Sequence, residues 1–138
     1  MKIYFAGSIR GGRDKIDTYI AINELLEKYG TILDKHVSDP NLSSMGEGIP
    51  LEEIYKRDIE WINEADILVA EVSTPSFGVG YEIAYAESLR KPVICLCDIK
   101  ANLSAMIGGN SYIDLIKYTD TDDLLYKLES KLIFKQTD

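Results

Sequence analysis

Two carboxylates and one glycine-bearing loop are the residues of this sequence best suited to chemistry. Glu82 closes the stretch Ser73-Thr74-Pro75-Ser76-Phe77-Gly78-Val79-Gly80-Tyr81-Glu82, which joins an apolar run to a helical pattern. Glycines let backbone amides approach an anion closely and a serine hydroxyl adds a donor, so Ser76, Gly78 and Gly80 suit a phosphate. Glu82 itself has two readings: a carboxylate stabilised by the helix dipole, or a catalytic group. Asp58 lies four residues after Ile54 and four before Ile62, on the apolar side of a helical pattern shared with Trp61 and Ala65. An unpaired buried carboxylate is costly, so such a residue is paired, protonated or functional. Arg57 precedes it, but adjacent helical residues are expected to point apart.

The elements that must position these groups alternate. Lys2 to Ala6 reads as a first strand, followed by the turn Gly7-Ser8-Ile9-Arg10-Gly11-Gly12-Arg13. This turn lacks the Gly-x-Gly-x-x-Gly dinucleotide spacing, although glycine-bearing first turns commonly contact phosphate or ribose. A helix is predicted from about Asp14 to Tyr29, with Ile16, Ile20, Ala21, Leu25 and Leu26 as its stripe and Gly30 as a left-handed stop. Thr31 to Val37 reads as the second strand, and His36 at its end as a hydrogen-bonded structural residue. Ser38 to Pro50 is a long polar loop, either a binding element or disordered. Leu51 to Glu64 is predicted helical, Asp66 to Val72 a buried strand, and Val79, Ile83 and Ala86 the stripe of the next helix. Val93 to Cys97 is a continuously apolar strand, which implies cover on both faces. A short turn at Asn102 to Gly109, a strand at Leu115 to Tyr118 and a helix at Asp122 to Phe134, with Leu125, Leu128 and Leu132 in register, complete the pattern. Lys135 to Asp138 are expected to fray.

This alternation predicts one doubly wound, flavodoxin-like or Rossmann-like α/β domain: five parallel strands with helices on both faces. The favoured order is 2-1-3-4-5. It sets the first and third strands side by side, so that the Gly7 to Gly12 and Ser73 to Gly80 loops meet Asp58 and Glu82 in one crevice.

Composition narrows the partners. At 138 residues, with 46% hydrophobic residues, the chain can bury one real core. Its formal net charge of -8 opposes long-range attraction to nucleic acid or anionic membrane, while a local nest of donors still accepts a small anion. No apolar stretch reaches the length of a membrane span and no secretion signal is evident, so a cytoplasmic protein is expected. Cys95 and Cys97, two apart in a strand, read as core thiols, and the single histidine has no spaced Cys/His set with it to make a metal site.

Taken together, Tyr4 to Arg13, Asp58 with Trp61, Ala65 to Glu82 and Leu103-Ser104-Ala105-Met106-Ile107 resemble the 2'-deoxynucleoside 5'-phosphate N-hydrolases of the nucleoside 2-deoxyribosyltransferase superfamily. The resemblance runs from Ile3 to about Phe134 and implies a single domain of that type over 1–138. It implies Glu82 as nucleophile, Asp58 as its catalytic partner and Tyr4 as the group that orients or tunes Glu82. It further implies a 5'-phosphate held by Ser8, Arg10, Ser76 and the amides near Gly78, with Gly7, Ile9, Gly11 and Met106 also lining the substrate. Ser104 would come from the neighbouring subunit of a homodimer. Neither a metal nor an organic cofactor is implied. The expected reaction is hydrolysis of the N-glycosidic bond of 2'-deoxynucleoside 5'-monophosphates through a covalent glutamyl intermediate. The Ser38 to Pro50 loop departs most from the family.

Three other readings compete. A deoxyribosyltransferase would use the same glutamate, but the phosphate-holding set argues against it. A ribonucleotide N-glycosidase of the CMP type differs only at the sugar's 2' position. A nucleotide-binding module without activity gives no reason to keep Asp58 on an apolar helical face.

Overall fold

Strands at the centre of a parallel sheet are covered twice, and the residues here divide accordingly. The computed structural model describes residues 1–9, 15–42 and 46–136. Five parallel strands, β1 (Lys2–Ala6), β2 (Thr31–Ile32), β3 (Ile67–Glu71), β4 (Val93–Asp98) and β5 (Asp114–Tyr118), lie in the order β2-β1-β3-β4-β5. Ile3, Phe5, Ile67, Val69, Ile94 and Leu96 point to one layer, packed against α1 (Ile16–Glu27) and α5 (Thr121–Gln136). Tyr4, Ala6, Leu68, Ala70, Val93 and Cys95 point to the other, against α2 (Leu51–Glu64) and α3 (Phe77–Ser88). The period of two along each strand produces this split. A short α4 (Ala105–Gly108) links β4 to β5.

The expected order and parallel pairing hold, with local corrections. The second strand stops at Ile32, and Lys35–Ser38 form a 3₁₀ turn instead of continuing it. Asp34 explains the stop: its Oδ1 accepts the Phe5 amide at 2.9 Å, a place that a further β2 carbonyl would otherwise fill. The buried stripe of α1 is Tyr19, Ile22, Leu25 and Leu26 rather than one through Ile20 and Ala21. In α5 Leu124, Leu128 and Leu132 are buried, with Leu125 only partly so. That helix continues through Gln136, whose side chain donates to the Tyr29 carbonyl at 3.0 Å, so the expected fraying does not begin at Lys135.

Gly30 is not left-handed, since the glycines at positive φ are Gly46 and Gly48 among the described residues. Its requirement is steric. A Cβ there would stand 2.3 Å from the Met1 carbonyl oxygen. Gly7 is constrained in the same way, with a Cβ 2.7 Å from Val37 and 3.1 Å from the Tyr19 ring. Cys95 and Cys97 are buried free thiols, and burial pushes the Cys95 thiol up to about 12. No helix among the described residues is long and apolar enough to cross a membrane.

Candidate active site

Tyr4 is the third residue of β1 and faces the α2/α3 layer, almost wholly buried. Its hydroxyl donates to Glu82 Oε2 on α3. Helix α3 starts where it does because Ser76 caps it: the Ser76 Oγ accepts the Val79 amide at 3.3 Å. That start places Glu82 about one and a half turns in, on the face turned toward Tyr4. Burial raises the Glu82 carboxyl to about 7; the Tyr4 hydrogen bond opposes the rise, and the nearby Asp58 charge adds to it. Tyr4 is held strongly in its neutral form, first by burial and then by Glu82, Asp34 and Asp58. A phenol that stays protonated is a dependable donor.

Asp58 comes from α2, and its half-buried carboxylate lines the same cavity as Glu82, a cleft of about 440 Å³. Gly7 and Ile9 of the first loop form one wall, and Ser76 and Gly78 at the start of α3 form another. Phe77 and Gly78, the first two helical residues, have amides that the helix's own ladder does not use. The Gly80 amide, by contrast, is bonded to the Ser76 carbonyl at 3.1 Å, and no neighbour lies where its Cβ would stand. Gly80 is therefore not the phosphate donor its spacing suggests.

Ser8 is fully buried beside this cleft. Its amide donates to the Tyr19 hydroxyl at 3.1 Å, and its Oγ has no partner among the described residues. Arg10 and Gly11 lie outside the described residues. Ser104 and Met106 stand elsewhere. They line a second cavity of about 660 Å³ on the other flank of α3, where Ser104 Oγ caps α4 by accepting the Met106 amide at 3.2 Å. Pro75, Ser76, Phe77 and Val79 border both cavities.

The expectation that Arg57 and Asp58 point apart is overturned. Arg57 Nε donates to Asp58 Oδ1 at 3.0 Å, because the long side chain folds back along the helix toward it. The same guanidinium makes two parallel bonds of 2.7 Å to Glu47 and lies 4.6 Å from the centre of the Trp61 ring. Glu47 belongs to the long loop before α2 and lines the cleft. Asp34 was also not anticipated. It is buried and held well above the usual carboxylate range by that burial, and its Oδ2 has no partner among the described residues.

The model of the nucleoside 2-deoxyribosyltransferase family matches residues 3–125. The chain belongs to that family. A protein of Syntrophotalea carbinolica, provisionally named 2'-deoxynucleoside 5'-phosphate N-hydrolase 1, is 43% identical over 134 residues, covering 96% of this chain and 94% of its own. The 5-hydroxymethyl-dUMP N-hydrolase of Esox lucius is 45% identical over 114 residues, 79% of each chain. The structure of the CMP N-glycosidase of Clostridium botulinum superposes with a TM-score of 0.65 at 21% identity, covering 94% of this chain and 99% of the other, a likeness of fold. A shared fold does not by itself fix the reaction, which individual side chains of the site decide.

Proposed function

We propose that this chain hydrolyses the N-glycosidic bond of 2'-deoxynucleoside 5'-monophosphates. One observation carries the reading: Tyr4 donates to Glu82 beside Asp58, in a cleft whose far wall is the N-terminus of α3. The names of the relatives support the same reaction class. A Glu82 oxygen attacks C1' of the sugar as the C1'–N bond breaks, and the bonding pair leaves with the base, whose nitrogen is protonated through Asp58. Water then adds to C1' as the bond from C1' to Glu82 breaks and its electron pair returns to the Glu82 carboxylate; the water gives its proton to Asp58, and deoxyribose 5-phosphate is released. Tyr4 holds one Glu82 oxygen and leaves the other for attack. The phosphate sits at Ser76, Gly78, Gly7 and Ile9, remote from the breaking bond, so its binding energy positions the sugar. Ser8, Arg10 and Gly11 complete that pocket in this reading.

The functional unit in this reading is a homodimer in which Ser104 and Met106 of one subunit reach the phosphate of the next. Phe77 and Met106, both highly exposed apolar side chains at the second cavity, support it. Ser104→Ala then raises KM for the monophosphate about tenfold without dissociating the dimer, as steady-state kinetics and light scattering would read. In this reading the protein works in the cytoplasm.

The deciding assay incubates the protein with each deoxynucleoside, its 5'-monophosphate and the matching ribonucleotide, with and without a second base, and follows released base by chromatography. Release from the deoxymonophosphates alone is expected. New nucleoside formed only with a second base would make the chain a transferase, and no turnover at all would leave a binding module.

A further inference from the structure

The cleft is bordered by a three-membered charge chain, Glu47–Arg57–Asp58, of which the proposed reaction uses Asp58 alone. Glu47 grips Arg57 with two bonds of 2.7 Å, Arg57 grips Asp58 Oδ1 through Nε at 3.0 Å and Nη2 at 2.9 Å, and Trp61 backs the guanidinium at 4.6 Å. All three charged side chains are largely withdrawn from solvent, 17% to 26% exposed, which limits screening. Glu47 and Asp58 both line the cleft, and Glu47 arrives from a different segment of chain.

We propose that Glu47 and Arg57 are positioning residues that act together on Asp58, Arg57 fixing its carboxylate and Glu47 setting how much of the guanidinium charge Asp58 receives. The argument rests on the reading of Asp58 as the group that protonates the departing base. A guanidinium shared with no other carboxylate would hold Asp58 as an acceptor-only anion, unfit to give a proton. A second carboxylate on the far side of the same fork divides that charge and leaves Asp58 able to take up and release a proton. The Trp61 ring keeps the guanidinium plane from swinging out of this arrangement. Other groups face Asp58 as well: Glu82 from α3, Tyr4 from β1 and Asp34 beyond β2. None of these is bonded to Arg57 among the described residues, so the fork can be altered while they remain in place.

The test is a carbon-13 titration of the aspartate carboxyls in the substrate-free protein, with the Asp58 resonance assigned by its loss in Asp58→Asn. Glu47→Gln should move the Asp58 midpoint down by about one pH unit, and Arg57→Gln should move it up by about as much. Opposite signs are the signature, because a purely structural role of the pair would not produce them. If Arg57→Gln fails to fold, Arg57→Lys replaces it: with the charge kept and the fork lost, adding Glu47→Gln must then shift the midpoint less than it does beside Arg57. In kinetics, Glu47→Gln should lower kcat about tenfold with KM for the monophosphate nearly unchanged. The double variant Glu47→Gln/Arg57→Gln should be no slower than Arg57→Gln alone, since Glu47 acts through Arg57. Shifts of the same sign, no shift, or independent losses in the double variant would overturn the proposal. The titration needs no turnover, so it still decides this point if the chain proves to hydrolyse none of the nucleotides offered.

Discussion

Two tyrosine–glutamate pairs flank the sheet, and their difference separates scaffold from chemistry. Tyr118 donates to Glu71 Oε2 at 3.1 Å, and the other Glu71 oxygen accepts the Ser73 amide at 2.5 Å. Ser73 Oγ in turn accepts the Asp98 amide at 2.7 Å, and Lys15 closes on Asp98 at 2.8 Å. Glu71 is almost wholly buried, with both oxygens occupied. It ties β3 to β5 and fixes the start of the Ser73–Ser76 loop. The Tyr4–Glu82 pair uses the same residue types on the opposite face. Yet among the described residues Tyr4 is the one donor to Glu82, and the carboxylate borders an open cleft. A glutamate with both oxygens hydrogen-bonded holds a loop, whereas one with an oxygen to spare can attack a sugar.

The comparison breaks most visibly on removal of the two glutamates. Glu82→Ala should lower kcat by at least about a thousandfold while substrate binding, read by calorimetry, largely survives. Glu71→Gln should keep a measurable kcat but unfold at lower temperature, since a buried network loses a charged acceptor. Loss of chemistry in the second and not the first would reverse the assignment.

Tyr4→Phe sharpens it next. The lost hydrogen bond had been holding the Glu82 carboxyl down, so its pKa should rise above about 7 and the acid limb of kcat/KM should move to higher pH. The same change should lower kcat on the order of tenfold. An acid limb that stays in place would show that another group governs it.

Stability should respond in a definite direction. Glu82 has a folded-state value of about 7 against an ordinary value of 4.5, so the folded protein binds this proton more tightly than the unfolded chain. Its contribution is therefore most favourable at low pH and is lost as pH rises from the unfolded value through the folded one. Glu82→Gln should accordingly stabilise the protein by roughly 3 kcal/mol near pH 8.5 and by little near pH 4, as denaturant titrations at the two pH values would measure. An equal gain at both would remove the electrostatic explanation.

The smallest expected effect is at Ser76. Ser76→Ala removes the α3 cap, at about 1 kcal/mol of stability, and should raise KM for the monophosphate but not for the free nucleoside. Equal effects on both substrates would sink the phosphate assignment.

Much of this site could be read in the sequence because it rests on periodicity. The bounds of α2 and the apolar runs of β3 and β4 follow from side-chain spacing, and with them the strand order and the meeting of Asp58 with Glu82. What escaped depends on where side chains reach after folding. Asp34 looks like an ordinary strand residue until its carboxylate is seen on the Phe5 amide. Arg57 is assigned outward by a rule for Cβ directions, which a side chain of its length evades. Glu47 sits in a loop without periodicity, and only its partner ten residues on gives it meaning. A carboxylate soon before a helix carrying Arg-Asp is at most a weak signal.

The Asp34 carboxylate has one more consequence, for behaviour at high protein concentration. By standing in for a third residue of β2, it limits the sheet's border on that side to Thr31 and Ile32. A border so short and so terminated offers a second chain almost no free backbone to copy, which discourages fibrous self-association there.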